Sequence, residues 1–227
     1  VRRLVLVRHA RTAAVRAAGF PTDDEPLDAT GVAAARAGAA AVAAAGWARD
    51  GALRSPLPRA GETAALLGLP DATPVAALAE ADFGRWAGRT LAEVAAGDPD
   101  AVTAWMTDPA AAPHGGESLA DVVARVGAWL DTRAAPGGPE GRMLAVTHGG
   151  VVKAALVHAL GAPLDAFWRL DVAPLGVTEL HAHDGRWTVA GVNRPLVAAP
   201  APAADAAVTP DRRGREPRAL GAVWGGR

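Results

Sequence analysis

Two short apolar runs, each ending in a histidine, constrain this chain more than any other feature. Residues 4–7, Leu-Val-Leu-Val, lead straight into Arg8-His9, and residues 143–147 lead into His148-Gly149-Gly150 at the start of a helical pattern. An unbroken apolar run of this length fits a strand buried on both faces, the kind that builds parallel sheets covered by helices. In open α/β sheets, ligands sit at the carboxyl ends of such strands. The chain is therefore expected to be α/β, with its polar chemistry gathered along one sheet edge.

The remaining pattern fills in this frame. Thr30 is expected to cap an alanine-rich helix that runs to about residue 45 and stops at Gly46. Residues 52–54 read as a brief strand, and Ser55-Pro56 as the N-cap and first-turn proline of a helix to about residue 67. Residues 74–78 read as another strand. Residues 80–116, broken by Gly, Pro and acidic side chains around helices near 90–96 and 100–107, read as an insertion over the sheet edge. Residues 117–133 form an amphipathic helix, with Leu119, Val122, Val123, Val126 and Trp129 at core spacing. Another helix follows His148 and ends near Gly161. The alternating segments 177–182 and 186–192, joined through Asp184-Gly185, predict a β-hairpin. These elements predict a three-layer α/β/α sandwich with a mostly parallel central sheet, an antiparallel edge and a small helical insertion over the active site. Residues 1–197 would form this domain. Residues 198–227, rich in Ala, Pro and Arg and without periodicity, are expected to be a disordered tail.

Composition excludes several classes of function. With no cysteine there is no disulfide framework, cysteine-ligated zinc or thiol nucleophile. A net charge of −1 gives no nucleic-acid footprint. The four apolar residues after Arg2-Arg3 are too few for a signal-peptide core, and the alanine-rich stretch 32–48, which carries Arg36, is too weakly apolar to span a bilayer. A soluble cytoplasmic protein without a membrane partner is expected. There is no Walker loop, dinucleotide-binding glycine fingerprint or His-Glu-x-x-His, and His181 with His183 lacks a third ligand nearby, so neither a cofactor nor a metal is expected.

The candidate residues point to phosphate. Arg8, His9, Arg59 and His148 all follow strand ends, and two guanidinium forks beside two imidazoles suit a dianionic tetrahedral group. The chemistry this favours is phosphoryl transfer to an imidazole. Glu80 lies at the same edge, where a carboxylic acid can protonate an alkoxide leaving group and then help activate water. Asp82 competes for that role, because residues two apart on extended chain point the same way. A serine-hydrolase reading rests on Gly116-Glu117-Ser118-Leu119-Ala120, with Asp121 or Asp131 and then His148 in triad order. It is set aside because a nucleophile elbow needs a strand before the serine, and residues 110–115 contain Pro113 and no strand pattern.

Leu6-Val7-Arg8-His9-Ala10-Arg11-Thr12, residues 55–64, residues 78–88, Gly115-Gly116-Glu117-Ser118 and Val146-Thr147-His148-Gly149-Gly150 together resemble the histidine phosphatase superfamily, in its phosphoglycerate-mutase-like branch 1. The resemblance runs in order from residue 1 to about residue 193. It implies a metal-independent phosphomonoesterase with His9 as nucleophile and Glu80 as proton donor. Arg8, Arg59 and His148 would surround the phosphoryl group of a small phosphorylated substrate, with Thr12 and Gly149 as further phosphate ligands. Departures from the family pattern are Ala10 for glycine, Val15 for asparagine and Ala87 for glutamate, and they bear on substrate identity more than on reaction class. Substrate choice is assigned to residues 13–27 and 81–118, including Arg85, Trp86, Arg89, Trp105 and His114. A folded part of about 197 residues resembles the compact phosphatases more than the longer mutases, and the Gly-Gly-Glu-Ser segment is similar to that of α-ribazole phosphatases. The alternatives are mutase-type phosphoryl transfer and a non-catalytic phosphate-binding module. Retention of His9, Arg8, Arg59, His148 and Glu80 together argues against the second.

Overall fold

The computed structural model describes residues 2–135 and 140–196; the tail expected at 198–227 lies outside them. In chain order the elements are β1 (Arg2–Arg8), α1 (Ala13–Ala17), α2 (Ala29–Ala45), β2 (Ala52–Arg54), α3 (Pro58–Leu66), β3 (Thr73–Pro74), α4 (Leu91–Gly97), α5 (Pro99–Thr107), α6 (Leu119–Ala134), β4 (Arg142–Thr147), α7 (Gly149–Leu160), β5 (Gly176–His183) and β6 (Arg186–Pro195). The strands form one sheet in the order β3-β2-β4-β1-β5-β6. Pairing is parallel from β3 through β1 and antiparallel from β1 through β6.

Alternation along the strands sorts the side chains into two cores. Leu4 and Leu6 of β1 and Ala145 of β4 pack with Val122, Val126 and Leu130 of α6 and with Val151, Val152 and Leu156 of α7. Val5 and Val7 of β1, with Leu144 and Val146 of β4, pack with Val42 of α2 and Ala60 and Ala64 of α3. The period of two thus supplies both helical layers of the sandwich from one set of strands. A smaller cluster of Phe20, Trp86 and Val94, with Phe83 and Trp105 against it, holds α4 and α5 over the sheet edge as the inserted unit. The hairpin turns through Asp184 (φ 49°) and Gly185 (φ 74°), two consecutive left-handed residues that give the twist a tight antiparallel connection needs. Among the described residues no helix is long and apolar enough to cross a membrane.

Three local expectations are corrected. The N-cap of α2 is Asp28, not Thr30: its Oδ1 accepts from Gly31 N at 2.7 Å, and a carboxylate satisfies that amide well. The strand expected at 74–78 stops at Pro74, because its partner β2 is only three residues long. A 3-10 turn over Ala76–Leu78 then carries Leu78 into the core. Ser55 does not cap α3. Leu57 occupies the N-cap position with Pro58 at the first turn, and Ser55 is used elsewhere.

Candidate active site

Three neighbouring strands deliver the first polar residues of the site. In the parallel β1/β4 register Arg8 stands beside Thr147, so His9 and His148 leave the sheet side by side. His9 N donates to Thr147 O at 2.7 Å, and Ser55 N, just past β2, donates to Val146 O at 2.9 Å. The two imidazoles meet edge to face with centroids 5.1 Å apart.

His9 is held as a neutral base. Its Nδ1 lies 2.6 Å from the carbonyl oxygen of Ala10. A carbonyl can only accept, so Nδ1 carries the proton and Nε2 keeps its lone pair. Burial, reinforced by the charge of Arg8, lowers the pKa to about 3. His148 is fully buried and its Nε2 lies 2.7 Å from Ser55 Oγ, which also accepts from Leu57 N at 3.2 Å. Burial first, and then the charges of His9, Arg59 and Arg8, push its pKa well below the usual histidine value. The Ser55 hydroxyl can donate to Nε2 or accept from it, so this contact holds the ring in place in either neutral tautomer.

The cations are anchored at one end and free at the other. Arg8 Nη1 donates to Val172 O at 2.5 Å, and Arg59 Nη1 donates to Thr22 O at 2.8 Å. Arg8 Nε, Arg59 Nε and His148 Nδ1 are buried and have no hydrogen-bond partner among the described residues. Burial depresses the pKa of both arginines, while the carboxylate of Glu80 opposes that shift in each. Buried donors without acceptors are uncommon, and each costs about 1–3 kcal/mol or more when charged. An oxyanion among them would offset that cost.

Two glycines at the start of α7 make room for this arrangement. A Cβ at Gly149 would press on the Arg8 guanidinium at 3.3 Å, and one at Gly150 would lie 2.3 Å from Glu80 Oε1. The Glu80 carboxylate is steered by Ala81 N (3.1 Å) and Gly150 N (3.4 Å). It lines two adjoining cavities, one with His9 and Thr12 and the other with Lys153 and Trp168. Thr12 is buried, lines the His9 cavity and caps α1 by accepting from Val15 N at 3.3 Å. Asp82 is exposed and accepts from Gly84 N at 2.8 Å within its own turn. Ser118 caps α6 in a reciprocal box with Asp121, in which Oγ donates to Oδ2 at 2.6 Å. That bonding occupies it as a helix cap and leaves no triad with His148.

The residues assigned to substrate choice divide. Trp105 lines both cavities. Trp86 and His114 are buried against each other at 5.0 Å, and His114 Nδ1 accepts from Gly116 N, so both belong to the packing of the insertion. Arg85 pairs with Asp98, and Arg89 donates to Glu93 O. Sequence reasoning missed Ser55 as the partner of His148, and it missed Lys153, Phe167, Trp168 and Asp171 in the second cavity wall. Lys153 had a readable signal, since it lies four residues after Gly149 and therefore on the same face of α7.

The buried histidines set a stability dependence. The unfolded chain protonates histidine near pH 6.5, whereas folded His9 resists until about 3, so the native state loses relative stability as pH falls below about 6.5. Each such histidine contributes up to about 1.4 kcal/mol per pH unit in that window and nothing above it. Urea unfolding midpoints, measured without phosphate, should fall from pH 7 to 5, and His148→Gln should flatten the slope. An unchanged slope in His148→Gln would show that this imidazole is not held neutral.

Known proteins resemble the chain in sequence and in fold. The histidine phosphatase superfamily (branch 1) matches residues 4–195. A glucosyl-3-phosphoglycerate phosphatase of Mycolicibacterium vanbaalenii is 36% identical over 176 residues, which are 73% of this chain and 77% of that protein. The bifunctional protein Rv2228c of Mycobacterium tuberculosis is 39% identical over 145 residues; these are 62% of this chain, which spans only 39% of that protein's length. Among solved structures, the mycobacterial glucosyl-3-phosphoglycerate phosphatase Rv2419c superposes with a TM-score of 0.72 at 30% identity, over 86% of this chain and all of the other. A putative α-ribazole-5′-P phosphatase of Escherichia coli superposes with a TM-score of 0.76 at 25% identity, over 88% of this chain and all of the other. With a family match across nearly every described residue and the two histidines brought together at the sheet edge, the chain belongs to the histidine phosphatase superfamily, branch 1.

Proposed function

We propose that the protein hydrolyses phosphate monoesters of small metabolites through a phosphohistidine on His9. The observation that carries this reading is the fixed tautomer of His9. Its Nδ1–H is committed to Ala10 O, leaving Nε2 unprotonated, and Arg8 Nε and Arg59 Nε are buried donors with no partner among the described residues. In the first step the Nε2 lone pair forms a bond to phosphorus as the ester P–O bond breaks. Arg8, Arg59 and His148 neutralise the equatorial oxygens, the stabilisation on which phosphoryl transfer chiefly depends. Glu80 gives its proton to the departing alkoxide. In the second step the Glu80 carboxylate takes a proton from water, whose oxygen attacks phosphorus, and the P–N bond breaks to restore neutral His9. Thr12 and the Gly149 amide at the start of α7 add donors at the phosphate.

The relatives supply first substrates to try: glucosyl-3-phosphoglycerate and α-ribazole 5′-phosphate. A chain without cysteine suits the reducing cytosol, where we place the reaction. Among the described residues no three His, Cys, Asp or Glu side chains converge as a metal site. Activity on nitrophenyl phosphate is expected to survive prolonged chelation, and a panel of phosphorylated metabolites assayed in chelator should reveal a preferred substrate. Loss of activity on chelation, restored by a divalent ion, would overturn the mechanism. Transfer of the phosphoryl group to a second metabolite in place of water would make the protein a mutase.

A further inference from the structure

The chain carries 22 arginines and one lysine, and that lysine stands in the wall of the second cavity. Lys153 is half-buried on α7, one helical turn beyond Gly149, and so about 6 Å along the axis from the phosphate end of the helix. The cavity, of about 220 Å³, is walled by the rings of Phe83, Trp105, Phe167 and Trp168, and it opens onto Arg8 and Glu80. On the phosphomonoesterase reading above, Glu80 borders this cavity as it borders the one that holds His9, so a leaving group protonated by Glu80 can extend into it.

The charges in this wall are unequal in their need for a partner. Glu117 is satisfied by Arg125, which holds it through Nε and Nη2 at 2.8 Å each. Asp171 is exposed and keeps its water. The Lys153 ammonium lies over the Phe167 ring at 5.2 Å from the centroid, and no carboxylate of the described residues comes within 4.0 Å of it. Burial lowers its pKa and the charge of Arg8 adds to that, while the more distant carboxylates of Asp171 and Glu80 oppose it. A half-buried cation with no carboxylate in direct contact gains more from an incoming anion than an exposed carboxylate gains from a cation.

We infer that Lys153 selects substrates whose alcohol portion carries a carboxylate, placed about one helical turn from the ester phosphate with the body of the leaving group against Trp105 and Trp168. The inference rests on the phosphomonoesterase reading above and names the substrate class of the same site. It assigns Lys153 to specificity. Phosphate is already served by Arg8, Arg59 and His148.

The test compares 3-carboxyphenyl phosphate with its carboxamide, which keeps shape and ring while removing the charge, in the full-length protein and in Lys153→Met and Lys153→Arg. The readout is the ratio of kcat/KM between the two esters, so any general loss of activity cancels. The native protein is expected to favour the carboxylate by about ten- to hundredfold, the range of a charge-assisted hydrogen bond. Lys153→Met should bring the ratio near one, chiefly through KM for the carboxylate, and Lys153→Arg should keep most of it. An equal loss on both esters would make Lys153 a positioning residue for Glu80 and overturn the inference, as would an unchanged ratio in Lys153→Met. A larger Lys153-dependent preference for 3-phosphonophenyl phosphate would replace the carboxylate with a second phosphoryl group and overturn the assigned class. Turnover of both esters with no preference refutes the selectivity alone. Failure to turn over any phosphate monoester refutes the reading beneath it as well.

Discussion

His9→Ala is expected to lower phosphate-ester hydrolysis by about four to six orders of magnitude on every substrate, the scale on which removal of a covalent nucleophile acts. No described residue offers a substitute. His148 lies edge-on to His9, but its Nε2 is engaged by Ser55, and Arg8 and Arg59 remain cationic. The variant should still bind inorganic phosphate, because Arg8, Arg59 and His148 are intact. Added imidazole, small enough to enter the space left by the ring, should recover part of the rate by acting as a free acceptor. Steady-state rates over a wide enzyme concentration range, with a phosphate-binding titration beside them, check this. A His9→Ala protein within about tenfold of the native rate would remove the imidazole from the reaction.

The second large effect concerns Glu80. An alkyl phosphate leaves as a strongly basic alkoxide and needs a proton in the transition state, whereas nitrophenolate leaves well without one. Glu80→Gln keeps the shape, and its one amide oxygen can still accept from Ala81 N or from Gly150 N, but it cannot deliver the proton. Alkyl phosphates should therefore lose about a hundredfold to ten-thousandfold, the span of general acid catalysis. Phosphoenzyme formation from nitrophenyl phosphate should fall far less. It has to be followed directly by rapid quench, because on the proposed mechanism the same carboxylate acts again in the water step and would mask the contrast in steady-state rates. Equal losses for both substrates would leave Glu80 as a positioning residue for phosphate. A selective loss in Asp82→Asn beside a near-silent Glu80→Gln would move the acid to Asp82.

The frame of this site is written in local sequence. Apolar runs at 4–7 and 143–147 have the length of buried strands, and parallel pairing then brings their carboxyl ends, His9 and His148, to the same edge. Gly149 and Gly150 are legible as glycines at a helix start, where backbone N–H groups can approach an anion closely, and the structure adds that a Cβ at Gly150 would collide with Glu80 Oε1. Capping choices were harder to read. Thr30, Asp28 and Ser55 all favour helix starts by the same hydrogen bond, and the winner depends on which amide lies in reach after packing. Ser55 was lost to α3 for tertiary reasons, because β2 places it against His148. The second cavity was the least legible part. Its wall joins Phe83, Trp105, Lys153 and Trp168 from separate elements, and spacing along the chain cannot report that they meet. Trp86 and His114 resembled substrate contacts because they flank the same segments, but the insertion needs their volume to pack its own small core.

The central claim is that phosphorus is bonded to His9 during the reaction, and one measurement reaches it directly. Protein mixed with isotopically labelled phosphate ester is quenched in alkali within the first turnover, digested and mapped by mass spectrometry under alkaline conditions. The account predicts a phosphoryl group on His9, stable to base, lost in acid and absent from His9→Ala. A label on Ser118 or any other side chain would contradict it, as would stoichiometric product release in the first turnover with no phosphorylated protein at any time.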